Sequence, residues 1–159
     1  MKGILSGLYV PGLKELLETA PGEVAVLSGV TPALSAAVAC LAAERGKRVL
    51  LAAENDLKAS RLADDVRQLS GGGGAFLPAG ELDLTRATGS LESSWRRLEA
   101  LSAVADGGTR VLCAGAEALM QRMGRPEPFK ALVLRLKPGD VCPPADLAKR
   151  LSAMGYDRV

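Results

Sequence analysis

The chain has 159 residues, of which 48% are hydrophobic and 3% aromatic, and its formal net charge is +2. This length suits one domain, or one domain and part of another. The shortage of aromatic rings and of net charge argues against a surface that stacks single-stranded nucleic acid or binds polyanions. Histidine is absent, which excludes His-based triads, His metal sites and imidazole acid–base catalysis.

The predicted elements of the first half are apolar strands that alternate with helices. In chain order they are a short helix at residues 13–17, a strand at 24–27, a helix at 32–44, a strand at 49–53, a helix with Leu62, Val66 and Leu69 on one face, and a short strand at 75–77. Gly46 is expected to end the second helix, and Asn55 to cap the start of the third.

The same alternation continues to about residue 123. After a loop at residues 78–90, the sequence predicts a helix with the apolar stripe Leu91, Trp95, Leu98 and Leu101, then a strand at 111–114 and a short helix at 116–123. We expect Trp95 to lie in the core. Continuous apolar strands between helices are typical of a parallel sheet that is covered on both faces. The predicted fold class is therefore α/β.

The pattern changes beyond residues 124–128, which are rich in Gly and Pro and suit a boundary. Leu132, Leu134 and Leu136 alternate as in a strand with one wetter face. A helix carrying Leu147, Leu151 and Met154 follows, and residues 155–159 resemble the start of a further strand. We therefore expect three parts, a helical segment at 1–20, a domain at 21–125 and the first part of a small α+β module at 126–159, and we expect the sequence to be a fragment.

Two features bear on the cellular compartment. The first five residues carry too little charge and too short an apolar run for a signal peptide, and residues 33–43 fall short of the ~20 apolar residues of a membrane span. Cys40, Cys113 and Cys142 are far apart and lack C-x-x-C spacing, which favours buried thiols in a reducing compartment. We expect a cytoplasmic protein with no membrane partner.

The predicted order of strand, loop and helix around Gly29 suggests a phosphate-binding loop, but the residues of the loop do not match the motif. Nucleotide-binding proteins place G-x-x-x-x-G-K-S/T between a strand and a helix. Here Gly29 is followed at the last three positions by Leu34, Ser35 and Ala36. The missing Gly, Lys and hydroxyl are the groups that admit the phosphates, bind them and hold Mg²⁺. We therefore predict no bound nucleotide, no metal and no catalysis here. The alternative of a residual anion at the helix N-terminus is weakened by Pro32, which lacks an N–H.

Other candidate sites have simpler structural interpretations. The glycine run at residues 71–74 is expected to be a flexible connection, because no helix follows it directly. Glu81 and Asp83 form an acidic pair in a loop, with nothing to support acid–base work. Arg96 and Arg97 are expected on a solvated helix face. Arg122 is expected to have a structural role.

Several segments resemble one protein family in their order and spacing. They are Arg48–Leu57, Ser93–Leu98, Val111–Leu119, Leu119–Arg122, Leu136–Asp140 and Leu151–Tyr156. Together they are similar to the N-terminal region of bacterial transcription-repair coupling factors, along nearly the whole chain. The resemblance implies a RecA-like (P-loop NTPase-like) domain related to the repair protein UvrB, with a degenerate phosphate loop that does not bind ATP.

The same resemblance implies partners. The region from about Lys130 would begin a UvrB-like module that recruits UvrA, whose main contacting hairpin lies past Val159. Arg135, Tyr156 and Arg158 are the candidate interaction residues, although Asp157 stands where the family often has a basic residue. RNA polymerase, DNA and Mg-ATP would be engaged only by translocase modules absent here, and other modules of the same chain would mask the UvrA surface.

Two other functions stay open at this point. The first is an active nucleotide-binding or helicase-type enzyme with an unorthodox loop, which binding of Mg-ATP would reveal. The second is a free-standing α/β domain that binds a small molecule, which a reading frame ending at Val159 would favour.

Overall fold

The computed structural model describes residues 11–20, 22–80, 91–123, 134, 136–154 and 156. Its backbone forms two compact units, Met1–Arg122 and Met123–Val159, and each is described by itself. The division into functional parts at residues 20 and 125 stays a prediction.

The first unit contains five helices and three strands among its described residues. In chain order they are α1 (Leu13–Glu18), α2 (Pro32–Glu44), β1 (Val49–Ala53), α3 (Asp56–Ser70), β2 (Gly74–Leu77), α4 (Leu91–Ala105), β3 (Val111–Gly115) and α5 (Ala116–Met120). The second unit contains α6 (Pro144–Ala153).

The three strands form a parallel sheet in the order β1–β3–β2, with Val111 opposite both Val49 and Gly74. Helices α2 and α3 pack on one face of the sheet, and α4 and α5 pack on the other. This confirms the α/β class and a parallel sheet with helices on both faces. The arrangement is compatible with a RecA-like fold.

The predicted ends of two helices are confirmed: Gly46 follows the end of α2 with a φ of 85°, and Asn55 precedes α3. The Asn55 side chain accepts a hydrogen bond from the Lys58 amide at 2.9 Å and so caps α3. The run at residues 71–74 is more than the flexible connection that was predicted: Gly71 ends α3 with a φ of 73°, a left-handed conformation that glycine adopts without steric cost, and Gly74 begins β2.

The core is built mainly from small side chains, which lets the helices approach the sheet closely. Ala36, Ala59, Ala63 and Val66 are fully buried on the α2–α3 side. A Cβ atom at Gly74 would lie 2.6 Å from Val66 Cγ1. Close packing of this kind leaves little tolerance for added volume.

The strand predicted at residues 24–27 does not form. This segment pairs with no strand among the described residues, and Val24 and Val26 are 89% and 88% exposed. An apolar run favours a strand only where a neighbouring strand supplies hydrogen bonds and a covered face. In the described part of the chain no strand pairs with this segment, and the side that carries Val24 and Val26 is not covered.

The prediction for the apolar stripe of α4 is also wrong in part. Trp95 is 54% exposed and Leu98 is exposed as well, whereas Ala100 is buried against the sheet and Leu101 partly buried. The side chain of Leu91 lies outside the described residues. Periodicity identifies an apolar stripe, but it does not say which neighbours are present to cover it. The face of α4 that carries Ala100, rather than the face that carries Trp95, packs against β2.

The structure bears on several other sequence predictions. Cys40 and Cys113 are buried as predicted, whereas Cys142 is partly exposed. The predicted helix with Leu147 and Leu151 is confirmed as α6. The strand predicted around Leu132–Leu136 lies mostly outside the described residues. Within the described ranges, no helix has the length and apolar character that crossing a membrane requires.

Candidate functional site

The segment that corresponds to a phosphate loop is closed on itself by local hydrogen bonds. Gly29 turns the chain with a φ of 72°, and Thr31 then caps α2, which begins at Pro32. The Thr31 hydroxyl accepts a hydrogen bond from the Leu34 amide at 3.3 Å, and Ser35 Oγ donates to the Thr31 carbonyl at 3.3 Å. Polar groups of Thr31, Leu34 and Ser35 are therefore hydrogen-bonded to one another within the cap.

This geometry removes much of the capacity of the helix N-terminus to bind an anion. A helix begins with four amides that have no intrahelical partner. Pro32 has no N–H, and the Leu34 amide is already bonded to Thr31. Two of the four donors are thus withdrawn from any phosphate.

The three substituted motif positions have structural surroundings. Ala36 is fully buried in the core cluster of α2, α3 and the sheet. Leu34 and Ser35 are partly buried, and Ser35 lines an apolar groove beside β1. None of these side chains supplies the charge of the motif lysine or the metal-binding hydroxyl of its last position.

The carboxyl edge of the sheet, where open α/β folds usually bind ligands, is crossed by the chain itself. Asp56 Oδ2 accepts a hydrogen bond from the Ala79 amide at 2.7 Å. The Gln121 side chain accepts from the Gly80 amide and donates to the Gly80 carbonyl, both at 2.7 Å. Arg97 donates to the Pro78 carbonyl at 2.7 Å. We call Asp56, Arg97 and Gln121 the carboxyl-edge cluster.

The carboxyl-edge cluster holds residues 78–80 by their backbone. Its side chains come from the start of α3, from α4 and from just after α5, so it ties all three to the end of β2. Sequence reasoning missed this role for Asp56 and Gln121. It also placed Arg97 on a solvated face, whereas Arg97 is partly buried. The signal in the sequence is that Asp56 stands shortly after β1 and that Gln121 directly follows the short helix after β3.

Asp56 also makes a close approach to β3. Its Oδ1 atom is buried and has no hydrogen-bond partner within the described residues. A Cβ atom at Gly115 would lie 2.5 Å from this oxygen. Glycine is therefore required at the end of β3 for the start of α3 to pack against it.

The buried thiols are unsuited to nucleophilic chemistry. Burial raises the pKa of Cys113 to about 11, and burial together with the nearby Glu44 carboxylate raises the pKa of Cys40. Both thiols therefore stay protonated at neutral pH, and the thiolate is the reactive form. Within the described ranges, no group of three or more His, Cys, Asp or Glu side chains could hold a metal ion. Glu81 and Asp83 lie outside those ranges.

In the second unit, α6 and Tyr156 border one groove of about 650 Å³. Leu151 lies in its lining, and Lys149 supplies a positive charge at its border. The Tyr156 amide donates to the Leu151 carbonyl at 3.1 Å, which holds the residue against the helix end. Of the three predicted interaction residues, Tyr156 is exposed beside this groove, and Arg135 and Arg158 lie outside the described residues.

Comparison with known proteins finds a partial relative. The chain is similar to the transcription-repair-coupling factor of Bacillus subtilis (strain 168), with 30% identity over 159 residues, which is 99% of this chain. The chain spans only 13% of that relative's length. No protein-family model matches the chain, and no solved structure matches it. The similarity is therefore to one part of a much longer protein.

Proposed function

We propose that this chain is a non-catalytic scaffold in transcription-coupled DNA repair that supports recruitment of UvrA to stalled RNA polymerase. The observation that carries the proposal is the similarity along 99% of the chain to part of a transcription-repair-coupling factor. The longer protein would supply the ATP-dependent DNA translocase and the contacts to RNA polymerase.

The site geometry supports a scaffold over an enzyme. The loop at residues 29–36 has neither the motif lysine nor the motif hydroxyl, and its cap residues bond to each other. The carboxyl-edge cluster uses its polar atoms to hold residues 78–80. Polar groups that are already engaged in this way are costly to redirect to a substrate, because each would leave a partner unpaired.

The second unit offers the surface for UvrA. Tyr156 combines a large apolar ring with a hydroxyl, and aromatic residues of this kind often dominate the free energy of protein–protein interfaces. The nearby Lys149 and Arg150 add positive charge on exposed positions of α6. We place the first contacts of the UvrA-recruiting module at this groove, with Arg135 and Arg158 as further candidates.

Binding of UvrA tests the proposal. We expect weak or no capture of UvrA by the 159-residue chain, and clear capture by a chain extended through the following strands of the module. In the extended chain, Tyr156→Ala should weaken binding about tenfold, which corresponds to ~1.4 kcal/mol. Isothermal titration calorimetry measures the affinity for UvrA of each chain and of the Tyr156→Ala variant. Val141→Ala is the matched control, because Val141 lies in the same unit and is 94% exposed. Failure of both chains to bind UvrA would remove the recruitment proposal.

Mg-ATP distinguishes the scaffold from the alternative of an active nucleotide-binding enzyme. A ligand at 100 times its dissociation constant stabilises a binder by about 2.7 kcal/mol. For a chain of this size, that corresponds to a rise in Tm of roughly 5–10 °C. We expect no change in Tm with millimolar Mg-ATP in a thermal-unfolding measurement. A clear saturable rise would favour the enzyme and contradict the scaffold.

A further inference from the structure

The outer edge of β1 has the character of an interior strand. Among the described residues, β1 pairs with β3 alone. All five of its residues are Val, Leu or Ala. Natural edge strands usually carry charges, prolines or bulges that prevent further pairing, and continuous apolar runs are typical of strands buried inside parallel sheets. Leu50, in the middle of β1, is nevertheless 54% exposed.

The opposite edge of the sheet is protected. There, β2 has only four residues, and arginine side chains engage carbonyls at both of its ends. Arg67 Nε donates to the Gly74 carbonyl at 3.0 Å, and Arg97 donates to the Pro78 carbonyl at 2.7 Å. The two edges therefore differ, and only the β1 edge lacks such protection within the described part of the sheet.

A second unpaired segment lies near this edge. Residues 23–28 pair with no strand among the described residues, and the exposed Val24 and Val26 share one side of the run. An apolar groove of about 320 Å³ is lined by residues of this segment, of β1 and of α1, namely Leu27, Val30, Val49, Leu51, Leu16 and Leu17. Val38 and Ala39 of α2 also line it. The groove is thus bordered by the two apolar segments that precede and follow α2 in the chain.

The other face of β1 is open as well. Leu50 borders a smaller groove of about 210 Å³ together with Leu112 of β3 and Val104 of α4, and the polar residues Arg48, Thr109 and Arg110 also line it. A strand placed beside β1 would direct alternate side chains to the two faces of the sheet. One set would enter the larger groove, and the other would lie beside Leu50.

We propose that a parallel β-strand from a segment of the same polypeptide outside these 159 residues inserts between β1 and residues 23–28. Its side chains are aliphatic on the face of the larger groove, whose lining is mainly aliphatic, and on the other face they lie beside Leu50. A source within the same polypeptide agrees with the relative, of which this chain spans only 13%. The inserted strand pairs with β1 on one side and with residues 23–28 on the other, so that β1 becomes an interior strand.

Two other occupants fit less well. The β1 strand of a second copy is already paired with β3 on its other edge, so it would leave residues 23–28 unpaired. Direct pairing of residues 23–28 with β1 would have to close the groove that both segments border. A single strand with two free edges satisfies both segments. The proposal does not depend on binding of UvrA.

Hydrogen exchange measured residue by residue tests the proposal, with the 159-residue chain compared with the longer chain of the same reading frame. In the longer chain, the amides of residues 23–28 and the outward-facing amides of β1 should exchange at least about 100-fold more slowly. Equal rates in the two chains would overturn the proposal. Protection already present in the 159-residue chain would indicate direct pairing, and protection that rises with concentration would indicate a second copy. Both outcomes also overturn it.

A substitution gives an independent measurement. In the 159-residue chain, Val26→Lys should leave Tm unchanged, because Val26 is almost fully exposed there. In the longer chain the same substitution should lower Tm by several degrees, because it would place a charge inside the sheet. Val141→Lys is the matched control and should leave Tm unchanged in both chains, since Val141 is equally exposed and lies in the other unit. Equal effects of Val26→Lys in the two chains would contradict the inserted strand.

Discussion

Replacing Gly115 with alanine should lower the free energy of unfolding by about 3 kcal/mol, the upper range for overpacking a close contact. The new Cβ would lie 2.5 Å from Asp56 Oδ1, 2.8 Å from the Asp56 amide nitrogen and 2.9 Å from the Asn55 carbonyl carbon. Two of these are backbone atoms at the start of α3, so rotation of a side chain does not relieve the clash. Urea denaturation followed by circular dichroism measures the change.

The matched control is Gly108→Ala. Its Cβ would have one neighbour, the Ala103 carbonyl oxygen, at 3.5 Å, which is an ordinary contact. Gly108 does not have a positive φ, so alanine fits its backbone conformation. We expect a change within about 0.5 kcal/mol. Equal stability of the two variants would show that the end of β3 and the start of α3 do not pack as described.

Leu77→Ala should lower the free energy of unfolding by about 2–5 kcal/mol, the usual cost of emptying a leucine site in a core. Leu77 is fully buried on the α4–α5 side of the sheet, where its neighbours include Ala100, Ala114 and Ala118. The methyl groups of these alanines are too short to fill the space, so the cavity should persist. Chemical denaturation measures this loss, with an unchanged m-value as evidence that the fold is retained.

Leu50→Ala is the matched control for Leu77→Ala. Leu50 lies on the same face of the sheet, in β1, but it is half exposed. In the 159-residue chain we expect it to cost less than about 1 kcal/mol, because little apolar area is removed from water there. Similar losses at both positions would contradict the assignment of Leu77 to the core and of Leu50 to an open edge.

Local signals predicted the elements whose neighbours are close in sequence. Asn55 caps α3 as predicted, because its side chain reaches an amide three residues away, and Thr31 caps α2 in the same way. The apolar runs at residues 49–53 and 111–114 form the paired strands that the pattern favoured, and the second strand extends to Gly115. The substitutions at Leu34, Ser35 and Ala36 were visible in the sequence alone, and they are the basis for expecting no phosphate chemistry at this loop.

The tertiary structure decided what depends on distant partners. Residues 24–27 are as apolar as β1, yet β1 pairs with β3, whereas residues 24–27 pair with no strand among the described residues. Trp95 lies on an apolar stripe, but Ala100 occupies the face of α4 that meets the sheet. The roles of Asp56 and Gln121 depend on where residues 78–80 cross the sheet. Sequence by itself therefore determined the class of fold, the helix caps and the loss of the phosphate motif, because these follow from residues a few positions apart. Pairing, burial and the carboxyl-edge cluster depend on contacts between distant segments, and only the folded chain brings those together.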